Sequence, residues 1–549
     1  MMRTAGKGTA ADERGSLKRN KALLFALLLA YIYLRGIGDH GLMDPIEGAN
    51  ASVGLAMAAH GEWLSPRVGR SLFMGKTMGT WWLSALSLHV IGWSEAAVRL
   101  WPALSGLVMS LAAALAARSS RGAWLSAAVC ASMTLCFSVS QLASSHALYA
   151  ACMGLAMASI LRVMRGDRRW AWGFHASAVA AFVVHGPEGL ILPWLTLLLS
   201  CHITDRFDAL LACAKSRAGA VVSLIGVGGY LSLLWAKAPM ILRLMAWEAP
   251  KLLPASGALV LLIILAGSVP WTGFLISAVW TVVPRGIDAL RSDEAGPGLL
   301  MVLWMGTFGA AALLMGDPLA LAACVPPAAA LVGSSLDEWA EQGKIATVQV
   351  AAALDIFIVG PLVALGLPVA SRGLPPLRGA MLSLLPWATF VALFLFAVWH
   401  YVKTRQLGKF MRNASAAALL CLLPLAGAFD LLAEELSIRH MGLVLRDSLR
   451  DDDALIQYAM DAPSLCFYTM RDYVRVSSPA VPGVASRWAK MDDVALHLLW
   501  AKEGRAFLLI PKDQQLLSPL PVDVHDMLEA NGKLLLSDHG EPLDALAGR

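Results

Sequence analysis

Charged residues are scarce in this chain: Asp, Glu, Lys and Arg make up 15% of its 549 residues, while 57% are hydrophobic. Soluble domains average about 25% charged and about 45–50% apolar, so the balance excludes an ordinary soluble protein and points to one that spans a membrane. Cysteine is sparse too. None of the eight forms a CxxC pair, and Cys130, Cys136, Cys152, Cys201, Cys324 and Cys421 sit in or at the edges of apolar runs. Neither a disulfide framework nor a thiolate metal site is indicated. Internal repeats and low-complexity segments are lacking, and few charges fall in mid-span. Both absences argue against an inverted-repeat transporter or a flippase.

What the chain does have is a succession of apolar runs near the roughly 20 residues a spanning helix needs. They begin near Ala22, Glu95, Ala123, His146, Trp170, Glu188, Ala218, Gly257, Gly298, Pro318, Ile345, Leu382 and Ala414, an expectation of about thirteen transmembrane helices. The net charge of +5 is gathered in short clusters: Arg118 and Arg121, Arg162 to Arg169, Lys215 and Arg217, Lys403 to Arg412. These fall on alternate loops, so the positive-inside rule puts the N-terminus in the cytoplasm, and no nucleic-acid partner is implied. Arg372 and Arg378 break the alternation. The first run resembles a signal peptide, but no small-x-small cleavage site follows, and it is read as a retained helix.

The expected organisation is a cytoplasmic tail over 1–21, a transmembrane domain over 22–429 and an extracytoplasmic α/β domain over 430–549. In the last, SLCFYTM, RAFLLIP and KLLLSD read as short apolar runs, the third preceded by the turn signal Asn531-Gly532. The stretch from Asp451 to Met460 reads as helical.

The most informative segment is the first extracytoplasmic loop, residues 38–94. Its stretch from Glu47 to His60 is too polar and too short to cross, yet has an apolar face, and reads as a helix lying at the membrane surface. From Thr77 to Trp93 the tryptophans suggest a second surface helix. The loop also holds Asp44, Arg67, Arg70 and Lys76.

The order of an acid, a surface helix, GEWLSP, a basic segment ending in Lys76, and WWLSALSLHVIGWSEAAVRLWPALSG resembles the first loop of the GT-C glycosyltransferases. The resemblance is to the branch containing the lipid A aminoarabinose transferases and the protein O-mannosyltransferases. VVHGPEGLILPWLTLL and SVPWTGFLISAVW resemble two further segments of that branch. The resemblance implies an α-helical polytopic membrane protein of GT-C type with a small extracytoplasmic α/β domain, in the inner membrane of a bacterium. It further implies transfer of a sugar from a polyprenyl-phosphate carrier to a lipid, glycan or protein acceptor. The alternative is a non-catalytic relative that binds lipid or scaffolds a membrane complex.

By the same resemblance Asp44 or Glu47 is the catalytic base. Ungapped alignment puts Glu47 beside the family's acid and Ile46 on it. Lys76 matches a phosphate-contacting lysine, and Arg243 stands in the loop where relatives carry a phosphate-binding arginine. The chain also departs from the pattern. His146 replaces the acid that opens the fourth span, and His185 the lysine of Lys-Gly-Pro. Asp317 stands in a segment, MGDPLALAACVPP, that lacks the family's Lys and Tyr. His146 and His185, with Glu188 after them, are expected to line the site. No cofactor is assigned. Two imidazoles with Asp44 and Glu47 are of the types that hold a divalent metal, but their separation gives no ligand-spacing signature.

Overall fold

The structure is a computed structural model that describes residues 20, 23–69, 71–73, 77–247, 256–283, 296–373, 384–404, 407–420, 422–476, 500, 505–512 and 525–538. Among these, six helices are long and apolar enough to cross a membrane, or eight if each of two bent pairs is one span. Several other apolar runs form shorter helices, such as Leu23–Leu34 (α1).

Two helices follow α1 where the sequence leads one to expect them: Ile46–His60 (α2) and Gly79–Ile91 (α3). Next comes Glu95–Ala116 (α4), which opens on an N-cap in which Ser94 Oγ accepts from the amide of Ala97 at 3.2 Å. That hydroxyl satisfies one of the orphan amides at the start of a helix, and Glu95 suits its positive end. The next apolar segment is bent: Ser120–Ser132 (α5) and Thr134–Ser140 (α6) meet at 61°. At the break, both the amide and the hydroxyl of Thr134 donate to the carbonyl of Val269.

Ser145–Met164 (α7) packs closely against α4, and Ala171–Val184 (α8) packs closely against α7. The latter ends at His185 and Gly186, whose φ of 145° is open to glycine alone. Pro187 and Glu188 then start Glu188–Thr204 (α9). Further along, Gly296–Met315 (α10) leads through Gly316 to Asp317, which precedes a 3₁₀ segment, Pro318–Cys324.

The C-terminal region forms a five-stranded mixed sheet in the order β4-β3-β5-β7-β6, where β3 is Ala454–Tyr458, β4 Val474–Val476, β5 Ala506–Pro511, β6 His525–Ala530 and β7 Lys533–Ser537. Strands β1 (Arg67–Val68) and β2 (Ser71–Leu72) form a separate small hairpin in the first loop. The Asn531-Gly532 signal becomes the two-residue turn between β6 and β7, with φ of 53° and 69°. Positive φ at both positions is what lets so short a turn match the strand twist.

Two elements differ from expectation. The Asp451 to Met460 stretch contains β3 rather than a helix. Its two faces pack into separate cores, Leu455 in one and Ile456 and Tyr458 in the other, so its apolar run lacks the alternation that marks a half-exposed strand. SLCFYT is the helix Ser464–Thr469 (α12), started by Pro463; it follows Arg439–Ser448 (α11).

The sheet has two cores. Ile456, Leu508 and Leu536 pack with Val476 on one face. Leu455, Phe507 and Leu535 on the other join a single cluster with Val53 and Met57 of α2, Trp81 of α3 and Phe467 of α12. The sheet domain and the first loop are thus one packed body.

Candidate active site

Arg99, in the first turns of α4, is fully buried, and each of its five N–H groups has an acceptor. Nε donates to Glu47 Oε1 at 2.9 Å and one Nη2 hydrogen to Glu47 Oε2 at 2.7 Å. The others reach the carbonyls of Ile37, His40 and Gly41 at 2.8–3.0 Å. The guanidinium therefore folds the chain leaving α1 around itself. Glu47 is equally saturated: Oε1 also accepts from the amide of Ala143 at 2.6 Å, and Oε2 from that of Met43 at 2.9 Å. Burial raises its proton affinity, but the Arg99 charge and these hydrogen bonds outweigh that and hold the carboxyl below the usual range. Such a carboxylate is a structural pin. It is poorly suited to take up a proton.

Asp44, just before α2, has a different setting. Its Oδ1 accepts from the amide of Ser464 at 3.0 Å, and its Oδ2 from the Ser464 hydroxyl. Burial pushes its pKa from 3.8 to about 7, against the downward pull of those two bonds and of the Lys533 charge. Close approach here depends on Gly48, where a Cβ would lie 1.9 Å from Asp44 Oδ1 and 2.5 Å from the Ser464 amide. The C-terminal domain grips the loop at further points. Ser52 donates to the carbonyl of Pro463, the Leu42 amide to Tyr468 Oη, and the Trp93 indole to the carbonyl of Phe467, at 2.7–2.9 Å.

A third group lies at the head of α7. His146 Nε2 is 3.0 Å from Asp317 Oδ1, and His185 Nε2 is 3.9 Å from Asp317 Oδ2 and 3.5 Å from Glu188 Oε1. Both rings are buried, and Tyr149 stacks on His185 at 4.2 Å. This group adjoins the first loop. Ala143, three residues before His146, bonds Glu47 and Asn50, and Thr77 and Thr80 donate to the carbonyls of Phe182 and Val184 just before His185. His146, His185 and Glu188 thus come together, though not with Asp44 and Glu47 as one ligand set. Arg243 is exposed on the helix Pro239–Trp247. Lys76 and Arg70 lie outside the described residues.

Sequence reasoning missed Arg99 and Ser464 and gave Asp317 no role. An arginine in the first turns of an otherwise apolar span was the available signal for Arg99. A cavity of about 320 Å³ between α1, α4 and α5, lined by Phe25, Leu107 and Trp124 among others, contains none of the candidate residues.

Over 95% of its length the chain superposes on 98% of ArnT from Cupriavidus metallidurans bound to undecaprenyl phosphate, with a TM-score of 0.77 at 18% identity. The fold is the GT-C fold. The apo form of the same ArnT matches this chain equally well, at a TM-score of 0.77 and 17% identity, over 95% of this chain and 99% of that one. No protein-family model matches. In sequence, the chain is 25% identical over 208 residues to an undecaprenyl phosphate-alpha-4-amino-4-deoxy-L-arabinose arabinosyl transferase of Pectobacterium carotovorum, covering 36% of this chain and 37% of that protein. An enzyme of the same name from Yersinia enterocolitica is 30% identical over 127 residues, 22% of this chain and 23% of the relative. The chain therefore matches little more than a third of the length of such relatives. With this fold and its apolar helices, it is a multi-pass membrane protein.

Proposed function

We propose that this protein is a glycosyltransferase of the bacterial inner membrane that takes a sugar from a polyprenyl-phosphate carrier and passes it to an acceptor hydroxyl on a lipid, glycan or protein. In this reading the N-terminus is cytoplasmic, and the first loop and the sheet domain are periplasmic. Asp44 takes the proton from the acceptor hydroxyl as its oxygen bonds to the anomeric carbon. The bond from that carbon to the phosphate oxygen breaks, and polyprenyl phosphate leaves. Lys76 and Arg243 serve the departing phosphate.

The observation that carries the reading is Asp44 itself: a carboxyl with a pKa near 7, at the start of a surface helix and under the sheet domain. A base works best when its pKa lies near the working pH. A hydroxyl, that of Ser464, already sits on it. An acceptor hydroxyl that displaced it would stand within reach.

The test is reconstitution. Full-length protein in lipid nanodiscs, given undecaprenyl-phosphate-linked pentoses and hexoses with lipid A as first acceptor, is expected to release undecaprenyl phosphate. No release from any donor, with lipid, glycan or peptide acceptors, would overturn the proposal. Topology gives a second check. In intact cells His60→Cys, at the exposed end of α2, is expected to react with a membrane-impermeant maleimide added outside the inner membrane. Protection there, with labelling only after lysis, removes the reading.

One observation favours the non-catalytic reading. Ile46, 49% exposed, occupies the position that the resemblance gives to the acid. On that reading the protein binds the carrier with no turnover and copurifies with a stable partner.

A further inference from the structure

We propose that His146, His185 and Asp317 bind one divalent transition-metal ion, with zinc(II) as the type. Nothing in the proposed transfer chemistry uses these three residues, and they come from three separate segments: the start of α7, the end of α8 and the turn after α10. Their ligand atoms, two imidazole nitrogens and a carboxylate oxygen, all lie within 4.8 Å of one another. Around a zinc ion with bonds of about 2.1 Å, tetrahedral ligands stand roughly 3.4 Å apart. The observed separations of 3.0 Å and 3.9 Å bracket that spacing.

The surroundings hold the rings in a ligating pose. Two adjacent serines engage the far nitrogens, Ser144 Oγ at 3.3 Å from His146 Nδ1 and Ser145 Oγ at 3.0 Å from His185 Nδ1. Ligating histidines are commonly fixed in this way through the nitrogen that does not bind the metal. Both Nε2 atoms then face one carboxylate. Each Nε2 that carries no proton can give its lone pair to a metal ion that this carboxylate also binds. Nitrogen and carboxylate donors together suit zinc better than magnesium or calcium. Glu188 Oε1, 3.5 Å from His185 Nε2, places a second carboxylate beside the group.

Three protein ligands leave a coordination position open, and Asp317 is 24% exposed at its side chain, so the site is reachable. If the transferase reading above holds, on which this clause alone rests, the ion supplies a positive charge for the carrier phosphate. The charge stands where His185 has replaced a lysine of the resembling family.

The experiment uses full-length protein stripped by chelator. Calorimetric titration with zinc(II) is expected to give one tight equivalent, and cobalt(II) to give the visible absorption of a tetrahedral nitrogen-and-oxygen site. Asp317→Asn and His146→Gln are expected to lose the tight equivalent. Ser145→Ala, which removes only an orienting hydroxyl, is expected to weaken it by roughly 10–100-fold. Absence of a stoichiometric site in the wild type, or unchanged binding in the Asp317 and His146 variants, overturns the proposal. The cobalt spectrum is read on the wild type and does not depend on a variant folding. Undecaprenyl phosphate binding, measured with and without zinc(II), tests the phosphate clause by itself. It is expected to tighten about tenfold with the ion, and equal affinity overturns that clause whether or not the protein proves to be a transferase.

Discussion

Asp44→Asn is expected to lower the rate of sugar transfer by about 10²–10⁴-fold, the range that loss of a general base produces, with little change in thermal stability. The amide keeps the size of the side chain and its carbonyl still accepts from Ser464, but it takes up no proton. The pH profile carries the same information. With its pKa near 7, Asp44 is protonated and idle in acid, so wild-type kcat/KM is expected to climb with pH and level off just above 7. The Asn variant loses that limb. Ser464→Ala removes a bond that lowers the pKa, and its limb is expected to lie at higher pH. Stability runs in the opposite direction. Folding raises this carboxyl from 3.8 to about 7, so it favours the fold fully below about pH 4, and the contribution is lost as pH rises through 7. Between pH 5 and 8 the wild type is expected to lose more thermal stability than the Asn variant. Full transfer by Asp44→Asn, and by a double variant that also carries Glu47→Gln, would remove Asp44 and the pair from the mechanism.

Local patterning made much of the first loop legible. Helices α2 and α3 were expected from a short run with an apolar face and from a tryptophan-rich run, and the β6–β7 turn follows from one dipeptide, Asn531-Gly532, whose backbone freedom the turn requires. Short apolar runs were less informative. SLCFYT and ALIQY differ little in composition, and only the neighbours decide that the first is a helix under the loop and the second the middle of a sheet. The site was legible only in part, because its contacts join distant segments. Asp44 meets Ser464 across 420 residues, His146 meets Asp317 across 171, and Glu47 meets Arg99 across 52. Each partner is an ordinary residue in its own stretch. In sequence Asp44 and Glu47 are two acids three positions apart; in the structure one is bonded to Ser464 and the other to Arg99 and two backbone amides.

The second large effect is expected from breaking the Glu47–Arg99 pair. Arg99→Ala leaves a buried carboxylate with no counter-charge and three loop carbonyls, of Ile37, His40 and Gly41, without their donor. Removing one partner of a buried ion pair alone typically destabilises by about 3–5 kcal/mol, so this variant is expected to unfold at markedly lower temperature or to fail to accumulate. Glu47→Gln is milder in charge but awkward in geometry. Both carboxylate oxygens receive a backbone amide, from Ala143 and from Met43, so the NH₂ of glutamine must point at another donor whichever way it turns. Replacing both partners by leucine removes the lone charge yet leaves the three carbonyls bare, and it is expected to recover only part of the loss. Thermal unfolding of the four proteins in one detergent measures this, with transfer assayed below the lowest transition. There Glu47→Gln is expected to keep much of its activity while Asp44→Asn keeps almost none. The opposite pattern, Glu47→Gln as stable as wild type but inactive, would show that Glu47 takes the proton and that its many bonds loosen during turnover.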